Sequence, residues 1–420
     1  MTPARRCAFT VVRRVFEQGA YADRAFAAEA EGLDPRERAL AMRIAYGTVQ
    51  RRATLDHFAA GLSARATRKL DPPVLAALRI GLFQLVFLGG VAEHAAVNES
   101  VELVKPFSRG GAALVNAVLR RAASERTTML EDLEDATPAA AAIMYSVPEW
   151  LAELWWSELG PGEARALLRS INEPAESAVR VNTLVASVDD VSRRLEVPAH
   201  AAPGLAEGLV LDAPFDAHGS PLWREGAIMP QSRGSMAVAG ELAPGAGERV
   251  LDLCAAPGAK TTHLAALMRD QGELVAVEQH RGRARALQRT CARMRVSCVR
   301  VQLEDAAAFR ADAEFDRALV DPPCSGLGTL QSRPDVRWRA TPEGIAELAG
   351  LQLRVLAAAA EALRPGGVLV YSVCTISRAE GENVIERFLS AHREFQLERS
   401  VQLMPHHDRT DGFFIARCRR

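Results

Sequence analysis

Lysine is scarce in this chain. Only three of its 51 basic residues are Lys (Lys69, Lys105 and Lys260) and the rest are Arg, so a lysine kept inside a glycine-bearing loop, as Lys260 is, points to a need for a compact ammonium there. Aromatics are also few, at 5%. The seven cysteines (Cys7, Cys254, Cys291, Cys298, Cys324, Cys374, Cys418) form an odd set with no Cys-x2-Cys pair, which argues against both a disulfide framework and a zinc site. The nine histidines show no ligand spacing either, so no metal is expected. No apolar run reaches membrane-spanning length and the first residues lack a signal-peptide core, so a cytoplasmic protein without a membrane partner is expected. Internal repeats and low-complexity segments are absent.

With 420 residues, 48% hydrophobic and 25% charged, the composition is that of a soluble protein of two to four domains. The net charge of −1 hides an asymmetry. Lys and Arg number 18 against 12 Asp and Glu over residues 1–125, 8 against 18 over 126–245, and 25 against 22 over 246–420. The basic first segment reads as helical throughout. Apolar residues recur at helical spacing in 5–18 and 35–52, Asp71-Pro72-Pro73 offers a helix start before the apolar stretch 74–88, and further helices follow at 98–105 and 111–121. Residues 124–142 read as a linker. The tryptophans of 150–156 read as packing residues, and short segments at 180–184, 188–195 and 208–211 suggest a small α+β module.

From about residue 246 strands and helices alternate: strands at 250–254, 274–278, 298–301, 316–320, 368–372 and 412–416, with helices at 261–269, 281–294, 342–363 and 380–391. That order predicts a mostly parallel, doubly wound sheet, whose ligands gather at the C-terminal strand ends. The residues placed there are Asp252, Cys254, Glu278, Asp305, Asp321, Cys324 and Cys374.

The stretch Arg249 to Thr262 is an apolar run, a small-residue turn (Cys254, Ala255, Ala256, Pro257, Gly258, Ala259) and a helix start at Lys260. A phosphate-binding P-loop is disfavoured, because Ala259 precedes the lysine and Cys254 occupies the place of the first glycine. A nucleoside-binding turn is favoured, since Glu278 ends the next strand about 20 residues past Gly258, where a carboxylate accepts from ribose hydroxyls. Asp321-Pro-Pro-Cys324 follows another strand, and Cys374 ends the next one. A lone cysteine is most often a small buried hydrophobe. Two at strand ends beside a nucleoside-like ligand suit a specific task, alkylating carbon 5 of a pyrimidine. A thiolate adds to carbon 6, carbon 5 becomes nucleophilic enough to take a methyl group from a sulfonium, and loss of the carbon 5 proton expels the thiol. Positive charge near the thiol, for which Lys260 is a candidate, favours the thiolate.

Residues 254–260, Asp321 to Thr329, Tyr371 to Thr375 and Asp411 to Ala416 resemble the cofactor loop, the two cysteine motifs and the terminal strand of RNA cytosine-5 methyltransferases of the bacterial Sun/Fmu (RsmB) family. Ala45-Tyr-Gly47, Val97 to Val101 and Val115 to Arg120 resemble its NusB-like domain. The resemblance implies three parts: an all-α NusB-like RNA-binding bundle (1–130), linker helices with a small α+β module (140–235), and a Rossmann-like methyltransferase domain with a mostly parallel sheet (236–420). It implies S-adenosylmethionine as cofactor, small-subunit ribosomal RNA as substrate and a monomer. Cys374 would be the nucleophile and Cys324 would aid product release. Residues 254–260, Glu278, Asp305 and Asp321 would contact the cofactor, with Glu278 at the ribose, Asp305 near the adenine, and Asp321 also at the cytosine edge. Arg333, Arg337, Trp338 and Arg339 would hold RNA phosphate or stack a base, against the alternative of a structural Trp with solvated arginines. Arg281, Arg285, Arg289 and Arg293 read as a solvated helix face.

The chain departs from the family pattern at Ala259, Val373 and Ser232, but no thiol or cofactor carboxylate is lost. An active enzyme is therefore expected. The alternatives are a catalytically silent RNA-binding or assembly factor, which the retained Cys374 disfavours, and a small-molecule methyltransferase, which would have no use for the basic helical domain.

Overall fold

The computed structural model describes residues 1–311 and 314–420. The chain forms two compact units, one of residues 1–173 and 330–339, the other of 174–329 and 340–420.

The first unit is helical. Helices Pro3–Gln18, Ala22–Glu29, Pro35–Gln50, Arg52–Ser63, Glu93–Val104 and Arg109–Glu131 surround Pro72–Val86. That central helix is buried on nearly all sides and apolar apart from Arg79 and Gln84, which bond to Asp56 and Arg5, and its Leu78, Ile80 and Leu82 are fully buried. Asp34 and Ser108 cap their helices through side-chain oxygens. Asp71 stands at the helix start, as expected, without a side-chain capping hydrogen bond. Gly47 explains part of the Ala45-Tyr-Gly47 pattern, since a Cβ there would lie 2.0 Å from the Phe83 ring. The stretch expected as a linker is mostly helix. Arg109–Glu131 runs on through its polar turns because Met129 reaches back to the core, and Pro138–Tyr145 follows after a short break. Trp155 of helix Glu149–Leu159 is fully buried, as a packing residue should be. Segment 330–339, with a 3₁₀ turn over Pro334–Trp338, completes this unit.

The second unit holds two sheets. Strands β1 (Ala178–Val181), β2 (Ala199–Ala201), β3 (Gly208–Leu211) and β4 (Ile228–Pro230) pair antiparallel in the order β2-β3-β1-β4. Strands β5 (Arg249–Leu253), β6 (Glu273–Val277), β7 (Val299–Gln302), β8 (Phe315–Val320), β9 (Leu363–Val373), β10 (Gln396–Leu403) and β11 (Phe413–Arg419) form a sheet ordered β10-β11-β9-β8-β5-β6-β7. β5 to β9 run parallel, and β10 and β11 are antiparallel. Each face has its own apolar core. Leu251, Leu253 and Val320 pack with Val355, Leu356 and Phe388 on one side, and Val250, Leu274 and Leu319 with Leu264 and Leu287 on the other. The chain leaves β5 toward β6 and β7 on one flank and β8 and β9 on the other, so the C-terminal ends of β5 and β8 bound a topological switch point, where open α/β sheets bind ligands. Strand β10 was not foreseen. It is a mostly exposed edge strand without an alternating apolar pattern, and pairing with β11 defines it. Among the described residues no helix is long and apolar enough to cross a membrane.

Gly328 and Gly412 clamp the loop after β8 to the start of β11. Gly412 N donates to Gly328 O at 2.8 Å, and a Cβ on Gly328 would sit 1.9 Å from the Gly412 carbonyl oxygen. Backbone cannot yield there as a side chain would. Gly328→Ala is expected to lower the unfolding free energy by roughly 2–3 kcal/mol, read as a drop in urea midpoint.

Candidate active site

The turn after β5 is built for close approach. Cys254 takes φ 69° and Gly258 φ 105°, where a Cβ would also lie 2.7 Å from Leu287, so glycine is required there on two counts. Helix Ala259–Leu267 begins immediately after, with its N-terminal amides directed at the switch point. Ala259, one departure from the family pattern, is its first residue. Ala255 and Ala256 are buried, Pro257 is exposed, and burial pushes the Cys254 thiol up to about 12, which keeps it a thiol. Glu278, one residue past β6, is 3% exposed. Its Oε1 accepts from His280 N at 2.8 Å, and its Oε2 lies 3.2 Å from Arg283 Nε. Asp305, beyond β7, is exposed and accepts from Ala307 N.

Asp252 on β5 is buried. Its Oδ2 accepts from Thr261 Oγ1 at 2.7 Å, while Oδ1 has no partner among the described residues. Burial, with a further contribution from Asp321, pushes its carboxyl up to about 7 against the Thr261 bond and Lys260.

Lys260 and Asp321 pair across the crevice at 2.8 Å, and Ser372 Oγ donates to the other oxygen of Asp321 at 2.9 Å. Burial alone would lower the Lys260 pKa, but Asp321, then Cys374 and Asp252, raise it above the usual lysine value. The ammonium therefore stays charged beside Cys374. The sulfurs of Cys324 and Cys374 are 3.3 Å apart. The Cys324 thiol is raised well above its ordinary pKa by its bond to Cys374, by burial, and by the charges of Cys374, Glu380 and Asp321. Of two neighbouring thiols, one has a cation at hand and the other has carboxylates. The two sulfurs thus lie within contact distance in unlike fields, and Cys324 keeps its proton.

Several participants were invisible in the sequence because each is one polar residue in an apolar or unremarkable setting. Arg180 on β1 is fully buried. It donates to Gln231 Oε1 and Thr262 Oγ1, both at 2.9 Å, and so holds the helix that follows the turn. Burial lowers its pKa to about 9. His263 on the same helix pairs with Glu207. Glu380 and Gln352 are both fully buried. The Ser232 departure is accommodated as the cap of helix Arg233–Leu242, and Val373 is buried in the sheet core.

Of the four residues expected at RNA, two are corrected, Arg337 and Trp338, while Arg333 and Arg339 are exposed. Arg337 is fully buried. Its guanidinium donates to the carbonyls of Ser146, Ile171 and Leu330 and to Asn172 Oδ1, at 3.0–3.2 Å, which makes it an internal strut of the first unit. Trp338 Nε1 donates to Val49 O at 2.7 Å and packs on that unit's core, and Arg339 lies over the Tyr21 ring. Arg333 is exposed. On the helix after β6, Arg281, Arg285 and Arg289 are exposed as expected, but Arg293 stacks on Trp223 and donates to the Trp223 and Ile228 carbonyls, because its position turns inward.

The sheet order, the turn after β5 and the carboxylates at successive strand ends define a Rossmann-like methyltransferase fold. A family model described as 16S rRNA methyltransferase RsmB/F matches residues 239–419, the NusB family matches residues 2–124, and the ferredoxin-like domain of RsmF/B-like methyltransferases matches 147–218. The probable ribosomal RNA small subunit methyltransferase B of Synechocystis is 36% identical over 100% of both chains. The ribosomal RNA small subunit methyltransferase B of Thermus thermophilus is 35% identical, covering 92% of this chain and 89% of that one. The crystal structure of PH0851 superposes with a TM-score of 0.82 at 27% identity, over 100% of this chain and 99% of that chain. The chain therefore belongs to the ribosomal RNA small subunit methyltransferase B family.

Two outcomes follow from this geometry. Because the Asp252 carboxyl is raised from 3.8 to about 7, the folded state favours the protonated form. Its contribution to stability is full below pH 4 and is lost as pH rises through 7, by up to roughly 4 kcal/mol. Asp252→Asn should flatten that loss in urea titrations between pH 5 and 8 made without cofactor. Arg337→Ala should cost about 3 kcal/mol of stability, since it strands buried carbonyls. RNA affinity of the folded variant, measured by filter binding, should stay near wild type.

Proposed function

We propose that the protein transfers a methyl group from S-adenosylmethionine to carbon 5 of a cytosine in small-subunit ribosomal RNA, through a covalent adduct on Cys374. The observation that carries this reading is the pair of sulfurs 3.3 Å apart at the switch point, with Lys260 beside Cys374. Relatives named as ribosomal RNA small subunit methyltransferases supply the RNA class.

The residues fit the cofactor. Residues 254–260 provide the turn and helix N-terminus, and Glu278, Asp305 and Asp321 stand at strand ends suited to ribose, adenine and the positively charged end. The unpartnered Oδ1 of Asp252 adds an acceptor behind the turn. When bound, the cofactor supplies a methyl group carried on a sulfonium.

The chain supplies the rest. Lys260 favours the Cys374 thiolate, whose sulfur bonds to carbon 6 of the base. Carbon 5 becomes nucleophilic and takes the methyl group. The carbon 5 proton passes to water, its bonding pair re-forms the carbon 5–carbon 6 double bond, and the carbon–sulfur electron pair returns to Cys374, with Cys324 assisting that release. Asp321, held by Lys260 and Ser372, faces the base edge. The target base must leave its stack to reach these groups.

The test is transfer of labelled methyl to small-subunit ribosomal RNA, free and in precursor particles, by wild type, Cys374→Ala and Cys324→Ala. The expected results are 5-methylcytosine from wild type, loss of about three orders of magnitude or more in Cys374→Ala, and a trapped protein–RNA adduct in Cys324→Ala. Binding of RNA without any transfer by wild type would replace this reading with that of a silent binding factor.

A further inference from the structure

Glu380 is a fully buried carboxylate with no cation paired to it among the described residues. Such a group persists only if hydrogen bonds satisfy it. Its Oε1 accepts from Ser325 N at 2.8 Å and from Gln352 Nε2 at 3.0 Å. Its Oε2 accepts from Ser325 Oγ and, at 3.4 Å, from Thr375 Oγ1. Gln352 Nε2 also donates to Pro323 O at 3.0 Å, and Tyr371 OH contacts Gln352 Oε1 and the Glu380 carbonyl oxygen. Pro323 and Ser325 flank Cys324, and Thr375 follows Cys374. The Ser325 and Thr375 hydroxyls also meet at 2.9 Å. The carboxylate thus holds the backbone after one thiol directly, the backbone before it through Gln352, and the residue after the other thiol.

We propose that Glu380 is a positioning residue that sets the two sulfurs in register and keeps the proton of the pair on Cys324. The proposal rests on the reading that both thiols serve methyl transfer. The charges around the pair are unequal. Glu380 and Asp321 face Cys324, and Tyr371 beside them has its phenol raised by burial and by these same groups, so it remains neutral. The Lys260 ammonium, paired with Asp321, acts electrostatically on Cys374. A proton shared between the sulfurs is favoured on the sulfur nearer the carboxylates, which leaves Cys374 as the thiolate.

The experiment compares full-length wild type, Glu380→Gln and Glu380→Ala. Brief iodoacetamide labelling at about pH 8, mapped by peptide mass spectrometry, reads how alkylation divides between Cys374 and Cys324. Single-turnover methyl transfer and S-adenosylmethionine binding are measured alongside. Wild type should label Cys374 at least about tenfold faster than Cys324. Glu380→Gln keeps the shape and removes the charge, so Cys324 labelling should rise about fivefold and its pH midpoint should fall by about one unit. Cofactor affinity should hold near wild type, and methyl transfer should fall about tenfold or more with KM for RNA little changed. An unchanged division of label in both variants overturns the proposal, and Glu380→Gln decides alone if Glu380→Ala does not fold. If wild type transfers no methyl at all, the function proposed above fails, while the division of label still decides the role of Glu380.

Discussion

An ammonium largely withdrawn from water must be neutralised, and the site is arranged around how this is done for Lys260. Asp321 provides the counter-charge at 2.8 Å, and Ser372 fixes the second oxygen of that carboxylate. Asp321 follows β8, Ser372 lies on β9 and Lys260 opens the helix after β5, so three neighbouring strands meet at one ion pair. With Asp321 held in this way, the cation serves Cys374 at the end of β9 as well. Arginine would not fill this role equally well, since its planar fork asks for two acceptors in one plane where the crevice offers one carboxylate oxygen and a sulfur. The lone lysine of the catalytic half of a chain that otherwise uses arginine follows from that constraint.

The two sulfurs share a chemical type and differ in surroundings, a pattern by which neighbouring groups take separate roles. What separates them is the loop architecture. The loop after β8 is stiffened by Pro322 and Pro323 and pinned by Gly328 against Gly412, and the segment after β9 turns back to place Glu380 beneath it. Helix Pro342–Ala362 contributes Gln352 to the same point, so the two cysteine-bearing loops are braced from the helical layer as well as from the sheet. Below the turn after β5, Arg180 ties β1 of the small sheet to helix Ala259–Leu267 in the same manner. Polar residues buried at these places cost desolvation and return a defined geometry.

The parallel strands, the turn and both thiols were legible because each carries a dense local signal: an apolar run, a small-residue turn, or proline and glycine around a cysteine. Strand β10 was not, because its definition comes from its partner and its own residues are mostly exposed. Arg337 and Trp338 misled for a related reason. Basic and aromatic residues after a catalytic motif look like a nucleic-acid surface, but burial is a property of the neighbours, here the carbonyls of Ser146, Ile171 and Leu330. Glu380 was passed over because the partners that define it lie 5 to 55 residues away.

The sheet order has a consequence for how the protein comes into being. β9, which carries Cys374 at its end, lies between β8 and β11, and β11 is built from residues 413–419. As the chain emerges N-terminus first, β9 has one neighbour and an open edge over Val368–Val373, all buried in the finished protein. An apolar strand left open in this way is the stretch most exposed to wrong pairing. Cys374 therefore stands at the end of a strand whose second neighbour, β11, is made only after it, and the sheet closes around that strand once β11 has been added.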